Sequence, residues 1–139
     1  MLNSNFPNLS KENAKITSPK DPDYNCIAHA AGESSEWWWP SDVDYWPRNV
    51  ARECTKESFC KAFGTLGFQE HKGLLPDNGY DVVALYAIHD VPTHMARRLD
   101  DGKWTSKLGR SEDIEHNDVG DIEGPLYGRA VLYLIRPRI

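Results

Sequence analysis

Cys26 stands at the head of a run of small residues, Tyr24-Asn25-Cys26-Ile27-Ala28-His29-Ala30-Ala31-Gly32, and His94 lies far downstream in Thr93-His94-Met95-Ala96-Arg97-Arg98. A thiol opening a helix and an imidazole on a later strand are the two parts that acyl transfer by cysteine requires. The sulfur attacks a carbonyl, while the imidazole takes the thiol proton and returns it to the leaving amine. A cysteine in the first turn of a helix meets the positive end of the helix dipole, so the expectation is a lowered thiol pKa. The plainer reading is a small buried hydrophobe packing with Ile27 and Ala30. His29, one helical turn on, is the competing base, but it approaches the sulfur from behind.

A third group should orient the imidazole, and the candidates are His116 in Asp113-Ile114-Glu115-His116 and Ser106 in Trp104-Thr105-Ser106-Lys107-Leu108-Gly109. Against these stand a turn-capping serine and a solvated Glu115-to-Asp118 loop. For a developing oxyanion the backbone N–H of Cys26 is a natural donor, with Tyr24 or Asn25 as side-chain helpers. Trp37, Trp38 and Trp39, together with Trp104, offer rigid aromatic surface to line a substrate cleft, although such a cluster is more often core. Cys26, His29, His94 and His116 have the right types for zinc but lack a second close ligand pair, so no metal is expected. No cofactor is implied. Cys54 and Cys60 read as packing residues.

The elements that must position these groups follow from pattern. Residues 1–23, with Pro7, Pro19 and Pro22, read as an irregular lead-in, and residues 24–139 as one domain. Asn25 is a plausible N-cap for a short helix that Gly32 ends. Four of the five tryptophans fall between Trp37 and Trp46 beside two prolines, which suits an extended segment. Phe59, Ala62, Phe63 and Leu66 recur at helical spacing over 55–66, with Gly67 as the stop. Tyr80 to Ile88 reads as a central strand, apolar on both faces. His94 to Leu99 alternates, with His94, Ala96 and Arg98 on one face. Asp100-Asp101-Gly102 supplies a hairpin turn, 103–108 returns antiparallel, and 127–135 is a last buried strand. Helices followed by a meander predict an α+β fold.

With 139 residues, 40% hydrophobic and 27% charged, one core suffices. The formal charge of -5, with no long Lys/Arg run, disfavours nucleic acid and anionic membranes as partners. No apolar stretch near the N-terminus resembles a signal peptide and none is long enough to span a bilayer, so the expectation is a cytoplasmic protein, or one exported by a route independent of a signal peptide. Three cysteines argue against a disulfide framework.

The order of Cys26, His94 and the following hairpin resembles the papain-like thiol hydrolases, particularly the compact bacterial cell-wall amidases and endopeptidases. Closer in wording is an uncharacterised bacterial domain family with Asn-Cys-Ile-Ala, Trp-Trp-Trp-Pro, His-x-Ala-Arg, Trp-x-Ser-Lys-Leu-Gly and Ile-x-His, matched here by Asn25 to Ala28, Trp37 to Pro40, His94 to Arg97, Trp104 to Gly109 and Ile114 to His116. The resemblance implies a papain-like fold, helices packed on an antiparallel meander, and a peptidase, amidase, deamidase or acyl transferase acting on a peptide or protein amide. The rival expectation is a non-catalytic module or effector that binds a protein partner through its aromatic segment.

Overall fold

The computed structural model describes residues 6–77, 79–108 and 112–138. Gly109, the last residue of the Trp104 to Gly109 segment, lies outside them. Seven strands, β1 (Ala14–Ser18), β2 (Gln69–His71), β3 (Tyr80–Ile88), β4 (Val91–Arg98), β5 (Trp104–Lys107), β6 (Asp113–His116) and β7 (Arg129–Pro137), form one sheet in the order β1-β6-β5-β4-β3-β7-β2. Each pairing is antiparallel. Two short helices, α1 (Cys26–Ala30) and α2 (Lys56–Gly64), pack against it. The class is α+β, as the order of elements predicts.

β3 through β6 make the meander, and two tight connections shape it. His89 and Asp90, both at positive φ (49° and 66°), turn β3 into β4, the twist that a two-residue hairpin favours. Asp100 to Gly102 turns β4 into β5, with the Leu99 N–H donating to the Lys103 carbonyl at 2.7 Å. β4 begins at Val91, so His94 sits inside a strand rather than near its start.

β3 is apolar on both faces because both are covered. Val83 and Leu85 join Met95 and Leu134 under α1, α2 and the tryptophan segment, in a core with Ile27, Phe59 and Phe63. Val82, Ala84 and Tyr86 join Ala96, Trp104 and Ile114 in a second core, closed by Phe6, Leu9, Ile122 and Tyr127. Here the expectation of an irregular lead-in is corrected. Residues 14–18 are an edge strand on β6, and Phe6 and Leu9 are buried. Polar, proline-rich composition hides a strand when only one edge is paired and most of its side chains face water; β1 is largely exposed.

Thr55 caps α2, its side chain accepting the Ser58 N–H, and the helix buries Phe59, Ala62 and Phe63 at the predicted spacing. Gly128 lies against the end of β3 at φ +75°, exchanging backbone hydrogen bonds with Gly124. A Cβ there would run into the Ala87 carbonyl oxygen. Gly128→Ala is expected to lower the unfolding free energy by at least about 2 kcal/mol, measured by urea denaturation, through strain and forced separation of the strand ends.

Candidate active site

α1 has only five residues and is held by its surroundings rather than by propensity. The Asn25 side-chain oxygen accepts the N–H groups of Ala28 and Trp38, each at 3.1 Å, and its amide donates to the Trp38 carbonyl at 2.8 Å. One buried amide thus caps the helix and fastens it to the tryptophan segment. This employment takes up the oxygen and one N–H of the amide expected to help at an oxyanion. Tyr24 is likewise engaged, its hydroxyl donating to Asp113 Oδ2 at 2.6 Å.

α1 packs on β4 and β5. These strands pair only at Arg97 with Thr105 and at Arg98 with Trp104, so the stretch of β4 before Arg97 has β3 on one edge and no β5 pairing on the other. The start of α1 meets that stretch, where the Met95 N–H is directed at the Cys26 sulfur, along with the N–H groups of Ile27 and of Cys26 itself. The sulfur therefore lies against the peptide link joining His94 to Met95.

The thiol pKa goes the opposite way from expectation. Cys26 is 6% exposed, and burial raises its pKa to about 11 against the lowering pull of those three N–H groups and of the Lys107 charge. A five-residue helix aligns few peptide dipoles, so desolvation of the thiolate wins.

His94 is fully buried. Its ring stacks on Tyr127, centroids 4.1 Å apart, and meets Tyr86 edge-on at 5.3 Å, both members of the second core. Neither ring nitrogen has a hydrogen-bond partner. The expected thiol–imidazole hydrogen bond is therefore not formed in this state. Burial, then the neighbouring charges of His116 and His29, push the His94 pKa well below the ordinary value, so the ring is neutral near pH 7. A buried polar group left without a partner costs about 1–3 kcal/mol, and such an expense calls for a reason.

The expected orienting groups bind each other. Ser106 Oγ and His116 Nε2 are 2.8 Å apart and His116 Nδ1 donates to the Asp118 carbonyl at 2.9 Å, both side chains buried on β5 and β6. Neither contacts a His94 nitrogen, and residues 113–116 are a strand rather than a solvated loop. His29, the competing base, is held by Thr105 Oγ1 at 2.9 Å and lies 3.8 Å from Asp113 Oδ2. Sequence reasoning did not single out Thr105, Asp113 or Lys107, although their alternation on two paired strands puts them on the α1 side of the sheet.

The tryptophans are corrected in role. Trp38 packs between Tyr45 and Phe63, and Trp39 edge-on against Phe59, so both belong to the helix-side core. Trp37 is half-buried, its indole donating to the Pro22 carbonyl at 2.7 Å, and Trp104 lies buried on the opposite face near Tyr133. Among the described residues, no three His, Cys, Asp or Glu side chains gather as metal ligands.

A family model described as "Domain of unknown function (DUF7689)" matches residues 15–135. No curated protein and no solved structure matches the chain.

Two buried histidines, His94 and His116, and the half-buried His29 fix a pH dependence. His29, His94 and His116 all have lowered pKa in the fold, chiefly by burial, whereas the unfolded chain binds their protons below about 6.5. Stability present above pH 6.5 is therefore lost as pH falls below it, by up to about 1.4 kcal/mol per pH unit for each site until that site protonates in the fold. His94→Phe, which removes two orphaned nitrogens, is expected to raise the melting temperature, and by more at pH 5.5 than at pH 8. An equal effect at both pH values would contradict the assignment.

Proposed function

The chain belongs to the DUF7689 family, and within it we propose a cysteine-dependent hydrolase or acyl transferase of papain-like type, acting on an amide through Cys26 and His94. The observation that carries this reading is a fully buried imidazole whose nitrogens have no hydrogen-bond partner among the described residues, in the residue whose peptide link to Met95 lies against the Cys26 sulfur. Burial holds both groups neutral, so proton transfer from thiol to imidazole is uphill and has to be coupled to attack on the carbonyl. A neutral imidazole can take the thiol proton as the sulfur attacks, which avoids a resting ion pair in a dry site.

The sulfur adds to the carbonyl carbon, the oxyanion takes hydrogen bonds from backbone N–H groups at the start of α1, and collapse expels the amine with the proton held by His94. Water or a second amine then resolves the acyl-enzyme. Sulfur and ring lie on opposite faces of β4, so the proton transfer requires His94 to leave its stack on Tyr127 and swing round the strand edge that β5 leaves unpaired. Peptide or protein amides are the favoured substrates by analogy with the superfamily. The rival reading, a binding module with an inert Cys26, draws on the low exposure of the sulfur.

An activated acyl ester separates the two by mass spectrometry. The catalytic reading expects one acyl adduct on Cys26 in preference to Cys54 and Cys60, none on Cys26→Ala, and acylation slowed about 100-fold or more in His94→Asn. Equal labelling of the three cysteines, or an unchanged rate in His94→Asn, would leave the module. Because burial holds the thiol near 11, simple alkylation of Cys26 by iodoacetamide should accelerate steadily from pH 7 to pH 10 in His94→Asn.

A further inference from the structure

We propose that the cavity between the tip of the β4–β5 hairpin and the outer ends of β3 and β7 binds a small oxyanion, a carboxylate or phosphate group, in the place now taken by the Asp100 side chain. The cavity, about 500 Å³, is lined by Arg97, Arg98 and Arg138 and by Asp81, Asp100 and Asp101. Its floor is built around one carboxylate. Asp81 receives Arg136 Nε at 2.9 Å, Arg138 Nε at 3.0 Å and Arg97 Nη2 at 3.4 Å. Arg97, Arg98, Arg136 and Arg138 face Asp81, Asp100 and Asp101, so the cluster carries one positive charge in excess, and two if the exposed Asp100 swings away. The Arg97 pKa is lowered chiefly by burial, against the opposing pull of Asp81, with Arg136 and Arg138 adding smaller lowering effects.

The guanidinium planes are held in position. Arg97 Nη1 donates to the Ala30 carbonyl at 3.0 Å, and Arg98 donates to the carbonyls of Pro76 and Asp77, both at 2.7 Å. Such fixed forks match the geometry of carboxylate and phosphate oxygens. A purely structural clamp accounts for Asp81, which sits among its arginines with 14% of its side chain exposed. It does not account for Asp100, which bonds Arg138 Nη1 at 2.5 Å with its side chain 88% exposed, from a turn that contributes Asp101 to the same rim. An ion pair so exposed contributes little to stability and exchanges readily for another anion. Asp100 thus serves as an internal competitor, occupying an arginine fork that a ligand can claim.

The test is calorimetric titration of the full chain with sodium phosphate and, separately, with sodium succinate, ionic strength held constant with chloride. One saturable site for at least one anion is expected, and the stronger of the two identifies the ligand class. Asp100→Asn should tighten binding about threefold to tenfold by removing the competitor, and Arg138→Gln should weaken it about tenfold or more. Arg138→Lys, which keeps charge but loses the planar fork, should recover only part of the affinity. Absence of saturable binding in both wild type and Asp100→Asn, or unchanged affinity in Arg138→Gln with a wild-type melting curve, would overturn the proposal. None of these outcomes depends on the chemistry of Cys26.

Discussion

The Asn25 side chain is the constraint from which the rest of the site follows. Its oxygen takes two backbone N–H groups and its nitrogen gives one hydrogen bond, all three directed at α1 or the Trp38 backbone. A five-residue helix cannot sustain itself in water, so its position is set by what grips its first turn. That grip fastens the helix to the tryptophan segment, which in turn packs on Phe59 and Phe63 of α2. The location of Cys26 is therefore a property of the whole helix-side core. Loss of the cap would cost more than the usual N-cap effect, because three buried partners lose their bonds together.

The second determinant is the early parting of β4 and β5. Antiparallel neighbours normally pair along their common length, yet here pairing stops at Arg97 and Thr105. The backbone edge freed by the separation needs partners, and the start of α1 provides one in the Cys26 sulfur, which faces the Met95 N–H. Alternation along β4 then sends Met95 into the core beneath α1 and the His94 ring into the opposite core. Adjacent residues of one strand thereby join a sulfur on one side to an imidazole on the other.

Much of this architecture is readable in the residues. The Asn25 cap, the stripe of Phe59, Ala62 and Phe63, the two-faced apolar run of β3 and the Asp100 to Gly102 turn each follow from local rules of period and capping, which act within a few residues. What escaped depends on tertiary context. β1 is polar because it lies at an edge, and no local pattern distinguishes such a strand from a loop. Trp38 and Trp39 have the composition of a cleft wall but fill a core, since aromatic type does not reveal which surface covers it. Ser106 and His116 were candidates to orient His94, and their cross-strand geometry turns them toward one another. The Cys26 pKa departs from what its helix position predicts because position is visible in sequence whereas burial is not.

Burial acts on the two central groups in opposite directions, and this governs how any chemistry proceeds. It raises the pKa of an acid that ionises to an anion and lowers that of a base that protonates to a cation, so the thiol and the imidazole are both held neutral. Transfer of a proton between them in a dry interior creates two charges whose separate desolvation is costly, and only their mutual attraction at close range offsets it. The His94 ring is stacked on Tyr127 and its nitrogens make no hydrogen bond to the thiol, so that attraction is absent. Under the proposed hydrolase reading, a carbonyl entering beside the sulfur would change the balance by giving the developing charge a place on oxygen, where the N–H groups at the start of α1 would meet it. Under the hydrolase reading, reactivity is thus coupled to occupancy, and a sealed, neutral cysteine is the resting form that such coupling requires.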